Sequence, residues 1–68
     1  MKNKVYRLAY IYIDHVIDCM DIAYKEYSKA YKDAIKQMQQ EEGIVSTLIY
    51  SNKNTAIVIQ RKHADLVQ

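Results

Sequence analysis

Punctuation is almost missing from this sequence. It contains no proline, and Gly43 is its one glycine in 68 residues. Glycine and proline are the residues that most readily turn or break a chain, so this one is expected to fold as a few long elements joined by few loops. Gly43 also divides two regimes. Before it the apolar residues follow a helical period; after it they alternate.

The helical period predicts one long amphipathic helix over residues 15–42. Apolar side chains recur at Val16, Ile17, Met20, Ala23, Tyr24, Tyr27, Ala30, Tyr31, Ala34, Ile35 and Met38, while Lys25, Glu26, Lys29, Lys32, Asp33, Lys36 and Gln40 mark the opposite face. Asp14 or Asp18 is placed to cap its start, Asp21 and Lys25 are spaced as an i, i+4 pair, and Gly43 is placed for a left-handed cap at its end.

Beyond Gly43, residues 44–50 and 55–62 are rich in β-branched side chains and predict a hairpin. Ser51, Asn52, Lys53 and Asn54 supply its turn. A turn of those residues sets Tyr50 opposite Thr55, Leu48 opposite Ile57 and Ser46 opposite Ile59.

Residues 4–13 admit two readings. Val5, Tyr6, Leu8, Tyr10, Ile11, Tyr12 and Ile13 are strand formers, yet Tyr6, Tyr10 and Ile13 also extend the helical seam backwards. The strand is preferred, because two interlocking apolar sets suit a two-sided sheet. The fold class expected is therefore α+β, a β-α-β-β unit with its long helix on a small sheet. In the alternative, a long N-terminal coiled-coil helix carries a C-terminal β-hairpin.

A right-handed crossover and a tight hairpin place the first strand beside the last, leaving residues 4–13 as an apolar edge. An 8.0 kDa chain forms a single domain over residues 1–68, and one this short buries only about 60% of its unfolded surface. Both arguments point to a homodimer or higher oligomer whose sheet continues through the first strands. Tyr6, Leu8, Tyr10, Tyr12, Tyr24, Tyr27 and Tyr31 are the expected interface.

Charge and cysteine content narrow the function classes. Residues 1–14 carry +2, residues 15–43 carry −2 and residues 44–68 carry +2, a weaker basic bias than sequence-independent duplex binding requires. The single Cys19 leaves no disulfide framework and no cysteine-only zinc site, which fits a reducing compartment. The longest apolar run, Leu8 to Ile13, is six residues, far below the ~20 that span a bilayer, and no signal-peptide pattern follows Met1. The expected location is the cytoplasm, with no membrane contact. Eight lysines against two arginines give the chain the flavour of an AT-rich genome, such as that of a low-GC bacterium or its phage.

The densest set of reactive side chains is Asp14, His15, Asp18, Cys19 and Asp21. On a helix, His15 and Cys19 would share a face four residues apart and could reach a metal with a carboxylate. Helix capping accounts for the same residues more simply, so no metal and no cofactor is expected. A Cys19 nucleophile with His15 or His63 as base lacks an oxyanion hole and an orienting group, so no catalytic residue is assigned. Tyr6, Tyr10 and Tyr12 near Lys2, Lys4 and Arg7 could stack single-stranded bases, although a dimer core or interface accounts for the tyrosines better. Arg61, Lys62 and His63 form a second basic end, with residues 63–68 as a short tail.

These readings converge on a small, non-enzymatic, homo-oligomeric protein that docks onto another protein, as a phage or mobile-element inhibitor of a host factor would. The alternative is a dimeric nucleic-acid binder. In either case Lys4, Arg7, Lys53, Arg61, Lys62 and His63 are the candidate contacts. A weaker third reading is a small-ligand site lined by tyrosine.

Overall fold

The computed structural model describes residues 4–51 and 56–67. Strand β1 spans Tyr6–Tyr12, β2 Val16–Tyr24, β3 Ile44–Ser51 and β4 Ala56–Gln60; helix α1 spans Tyr27–Gln40 and α2 Arg61–Leu66. The strands form one antiparallel sheet in the order β2-β1-β3-β4. Both helices contribute to one core, where Leu8, Ile44, Ile49 and Ile59 of the sheet meet Ala30, Ala34, Ile35 and Met38 of α1 and Ala64 of α2.

The α+β class is as expected, but the long helix over residues 15–42 is not. Its N-terminal part is β2, and only Tyr27–Gln40 is helical. Strand β2 pairs Ile17 with Tyr10 and Cys19 with Leu8, then slips register before pairing Tyr24 with Tyr6. The helical spacing of Val16, Ile17, Met20, Ala23 and Tyr24 is coincidental: in β2, Val16 pairs with Ile11 and Ile17 with Tyr10, so these residues divide between the two faces of the sheet and share no stripe. Val16, Ile17, Ile22 and Tyr24 are also poorer helix formers than the Ala, Lys, Gln and Met of α1. With β2 extended, Asp21 and Lys25 lose their helical spacing. Asp14 and His15 belong to the β1–β2 turn, where Tyr12 N–H donates to the His15 carbonyl at 2.8 Å.

The extra strand reverses the chain before the helix, so β1 and β3 are antiparallel and not parallel. It also corrects the strand order. Strand β1 lies between β2 and β3, not beside the final strand. Residues 6–12 are therefore a central strand of the chain itself, and the expected dimer built by pairing their free edges has no free edge to use. The coiled-coil alternative fails for the same reason.

The hairpin forms, one residue out of the expected register. Tyr50 faces Ala56, Leu48 faces Val58 and Ser46 faces Gln60. Because side chains alternate, this slip exchanges faces: Thr47, Ile49, Ile57 and Ile59 turn toward the helices, and Ser46, Leu48, Tyr50 and Val58 turn away. Asn52, Lys53, Asn54 and Thr55 lie outside the described residues.

The two helices cap each other. Arg61 donates from Nη1 to the Met38 carbonyl at 2.8 Å and from Nη2 to the Glu41 and Ile44 carbonyls at 2.9 and 2.6 Å. A guanidinium there meets the Met38 carbonyl of the last helical turn and the negative end of the α1 dipole, and ties both to the start of β3. Gly43 does not adopt the left-handed conformation expected of it. In return, Gln39 Nε2 donates to the Ala64 and Val67 carbonyls at 3.2 and 2.8 Å. The expected C-terminal tail is thus largely the ordered turn of α2, with Ala64 fully buried.

Candidate interaction surfaces

Among the described residues, helices cover one face of the sheet only. The other face carries Val16 and Asp18 from β2, Arg7, Ala9 and Ile11 from β1, Ser46, Leu48 and Tyr50 from β3, and Ala56, Val58 and Gln60 from β4, as the strand registers place them. Its centre is shallow, because Ala9 and Ser46 are small. An apolar band of Val16, Ile11, Leu48 and Val58 crosses all four strands, and Val16 and Val58 are 59% and 50% exposed. One corner is polar: Tyr50 Oη donates to Asp18 Oδ1 at 2.6 Å, and Arg7 Nε donates to the Met20 carbonyl in the β2 bulge at 3.2 Å.

Strand β2 is one edge of the sheet, and Met20 (65% exposed) and Ile22 stand out from its bulge. On the helix side, a groove of about 600 Å³ separates β2 from α1. Leu8, Tyr10, Ile17, Cys19 and Ile22 line its apolar part. Two phenol–carboxylate bridges mark its ends: Tyr24 Oη donates to Asp33 Oδ2 at 2.8 Å, and Tyr12 Oη donates to Glu41 Oε2 at 2.7 Å. Burial first, then the Asp33 hydrogen bond, pushes the Tyr24 phenol up to about 12. Burial also raises the Tyr10 phenol and the Cys19 thiol, with neighbouring anions adding to it. All three are therefore protonated at neutral pH.

The expected interface residues all lie on the helix side. Leu8 is fully buried in the chain's own core, and Tyr6, Tyr10, Tyr12, Tyr24, Tyr27 and Tyr31 pack against it. Tyr6 meets Tyr27 edge-on at 5.7 Å, Tyr27 lies 6.1 Å from Tyr31, and Tyr31 Oη shares a 2.7 Å hydrogen bond with His63 Nε2. Lys4 Nζ sits 5.8 Å from the Tyr6 ring centre, which extends this aromatic row by a cation.

Of the remaining contact candidates, Lys62 is exposed, Arg7 is engaged with the bulge, and Arg61 spends its donors on the carbonyls at the end of α1 and on Asp65 at 3.1 Å. Lys53 lies outside the described residues. His15 bonds Asp14 at 2.7 Å and stacks on Tyr12 at 4.4 Å, and that bond holds the Asp14 carboxyl below its ordinary range. Among the described residues no three His, Cys, Asp or Glu side chains gather as a metal site would require, and no helix is long and apolar enough to cross a membrane.

Sequence reasoning missed Ile11, Asp18, Leu48, Tyr50 and Val58 as one surface, and Asp33 and Glu41 as partners of tyrosines. The alternation through residues 7–11 and 46–50 is the signal for Ile11, Leu48 and Tyr50, and the strand pairing adds Asp18 and Val58. Nothing local signals the second, because each phenol and its carboxylate come from separate elements. No family profile, curated protein or solved structure matches the chain.

Proposed function

We propose that this chain is a non-enzymatic interaction protein of the cytoplasm that self-associates through its bare sheet face and docks onto another protein through the free edge of β2. The observation that carries this reading is the apolar band crossing a face that no described helix covers. Packing two such faces about a two-fold axis, as in a sandwich of aligned sheets, removes that band from water. The face also suits a copy of itself electrostatically. Arg7 and Asp18 both belong to it, so a two-fold contact can bring opposite charges together at its rim.

Self-association in this form differs from the sheet continuation expected from the sequence: the contact is face to face, and β1 plays a central part instead of an edge part. The β2 edge then stays open. Its outward backbone groups and the protruding Met20 and Ile22 fit strand addition by a target protein. A reducing compartment keeps the lone Cys19 thiol free.

Light scattering coupled to size exclusion tests the first half. Leu48→Glu and Val58→Glu, both on the bare face, are expected to give monomers with an unchanged far-ultraviolet spectrum. Crosslinking of wild-type protein in lysate tests the second half, since contacts mapping to Met20 and Ile22 support strand addition and contacts mapping to α1 oppose it.

One observation favours a second reading. Lys4, Tyr6, Tyr27, Tyr31 and His63 form a continuous row, and Lys32 and Lys36 border Tyr31 across a neighbouring hollow. Rings flanked by cations suit single-stranded nucleic acid. Affinity for an oligothymidylate that falls steeply with salt and is lost in Tyr27→Leu would put this reading first.

A further inference from the structure

We propose that the groove between α1 and β2 binds a linear organic dication, an apolar stem with an ammonium at each end. This does not rest on self-association, which uses the opposite face of the sheet.

Shape and charge both lead there. The groove has the volume of a small-molecule site, and sites of that size are usually apolar with a few placed polar groups. Here the polar groups are at the ends. Asp33 and Glu41 are eight residues apart in sequence, about 12 Å along a helix axis, and each is held in place by a tyrosine hydroxyl from the sheet. Each phenol uses one lone pair of its carboxylate, which leaves further lone pairs to accept from an ammonium. Charge-assisted bonds of that kind are the strong ones.

Between the ends the groove offers Leu8, Ile17 and Ile22 to a methylene stem, and the aromatic residues Tyr10 and Tyr24 in its lining favour a cation beside them. An anionic ligand would be repelled by both carboxylates, and a neutral one would gain no charge-assisted bond from either. Among the described residues Lys36 is the one cation of the lining, and it also borders the hollow on the far side of α1. It therefore sits on the crest of the helix, where its ammonium reaches solvent.

The test compares three probes with the same stem: diaminooctane with two charges, octylamine with one, and octanediol with none. Binding is read by amide chemical shifts and by calorimetry on the full chain. Diaminooctane is expected to shift Cys19, Ile22 and Tyr24 and to bind at least about tenfold more tightly than octylamine, one charge-assisted hydrogen bond being worth roughly that factor. Asp33→Asn and Glu41→Gln should each cost diaminooctane about tenfold while leaving octanediol unchanged. Both carboxylates are on the surface, so these variants should keep the wild-type spectrum. Equal binding of diaminooctane and octylamine, indifference to Asp33→Asn, or an absence of shifts at millimolar probe would each overturn the proposal.

Discussion

Tyr50 and Asp18 are joined over the top of a strand that neither belongs to. The Tyr50 hydroxyl, on β3, reaches Asp18 Oδ1 on β2 at 2.6 Å, passing diagonally across β1 between Arg7 and Ala9. Ala9 is only 5% exposed on a face that no described helix covers, and its small side chain is what leaves room for the bridge.

Enlarging Ala9 should therefore break the bridge. Ala9→Leu is expected to lower stability by about 1–3 kcal/mol, as overpacking at a filled position does. A double-mutant cycle between Tyr50→Phe and Asp18→Asn should show coupling in the wild-type chain that falls toward zero once Ala9→Leu is added.

Arg61 is the keystone of the two helices. Replacing it with Ala leaves the carbonyls of Met38, Glu41 and Ile44 without its donors, and hydrogen bonds from a charged group are worth about 1.5–3 kcal/mol. Urea denaturation should show a loss of that order. Lys at the same place should recover less than half, because an ammonium cannot span three carbonyls as the planar fork does.

Thr47 presents the opposite case. It is wholly buried, faces the helices, and its Oγ1 has no hydrogen-bond partner among the described residues. Thr47→Val keeps the shape and removes the unsatisfied hydroxyl, so it should stabilise the fold by about 1 kcal/mol. A lower urea midpoint in the variant would contradict this placement.

Alkaline pH should weaken the groove wall. The folded Tyr24 phenol ionises near 12 where its ordinary value is 10.0. A raised value means that the folded state holds the proton more tightly than the unfolded chain does, so the stabilisation is complete below pH 10.0 and is lost as pH climbs through about 12. Denaturation curves across that window should fall more steeply for the wild type than for Tyr24→Phe.

Legibility in the sequence follows the physics of each segment. Residues 44–50 and 55–62 read as a hairpin because β-branched residues dominate them, and residues 27–40 read as helix because Ala30, Ala34, Ile35 and Met38 keep a true helical period. Residues 16–24 mislead, since an edge strand that is apolar on both faces offers Val16, Ile17, Met20, Ala23 and Tyr24 at helical spacing by coincidence. The hairpin register turns on a single residue near a loop whose chemistry allows more than one length. The surfaces are harder still: Tyr50 with Asp18, Tyr24 with Asp33 and Arg61 with Met38 are pairs between separate elements, and no local pattern announces them. Tyr6, Tyr10 and Tyr12 do share one face of the first strand, but that face holds the chain's own core.

The central claim is that the bare sheet face is covered by a second copy. Sedimentation velocity of the wild type and of Val58→Glu at micromolar concentration tests it most directly. A wild-type dimer that becomes an 8.0 kDa monomer in the variant, with the same circular dichroism, is the predicted result. A wild-type chain that sediments as a monomer would contradict it.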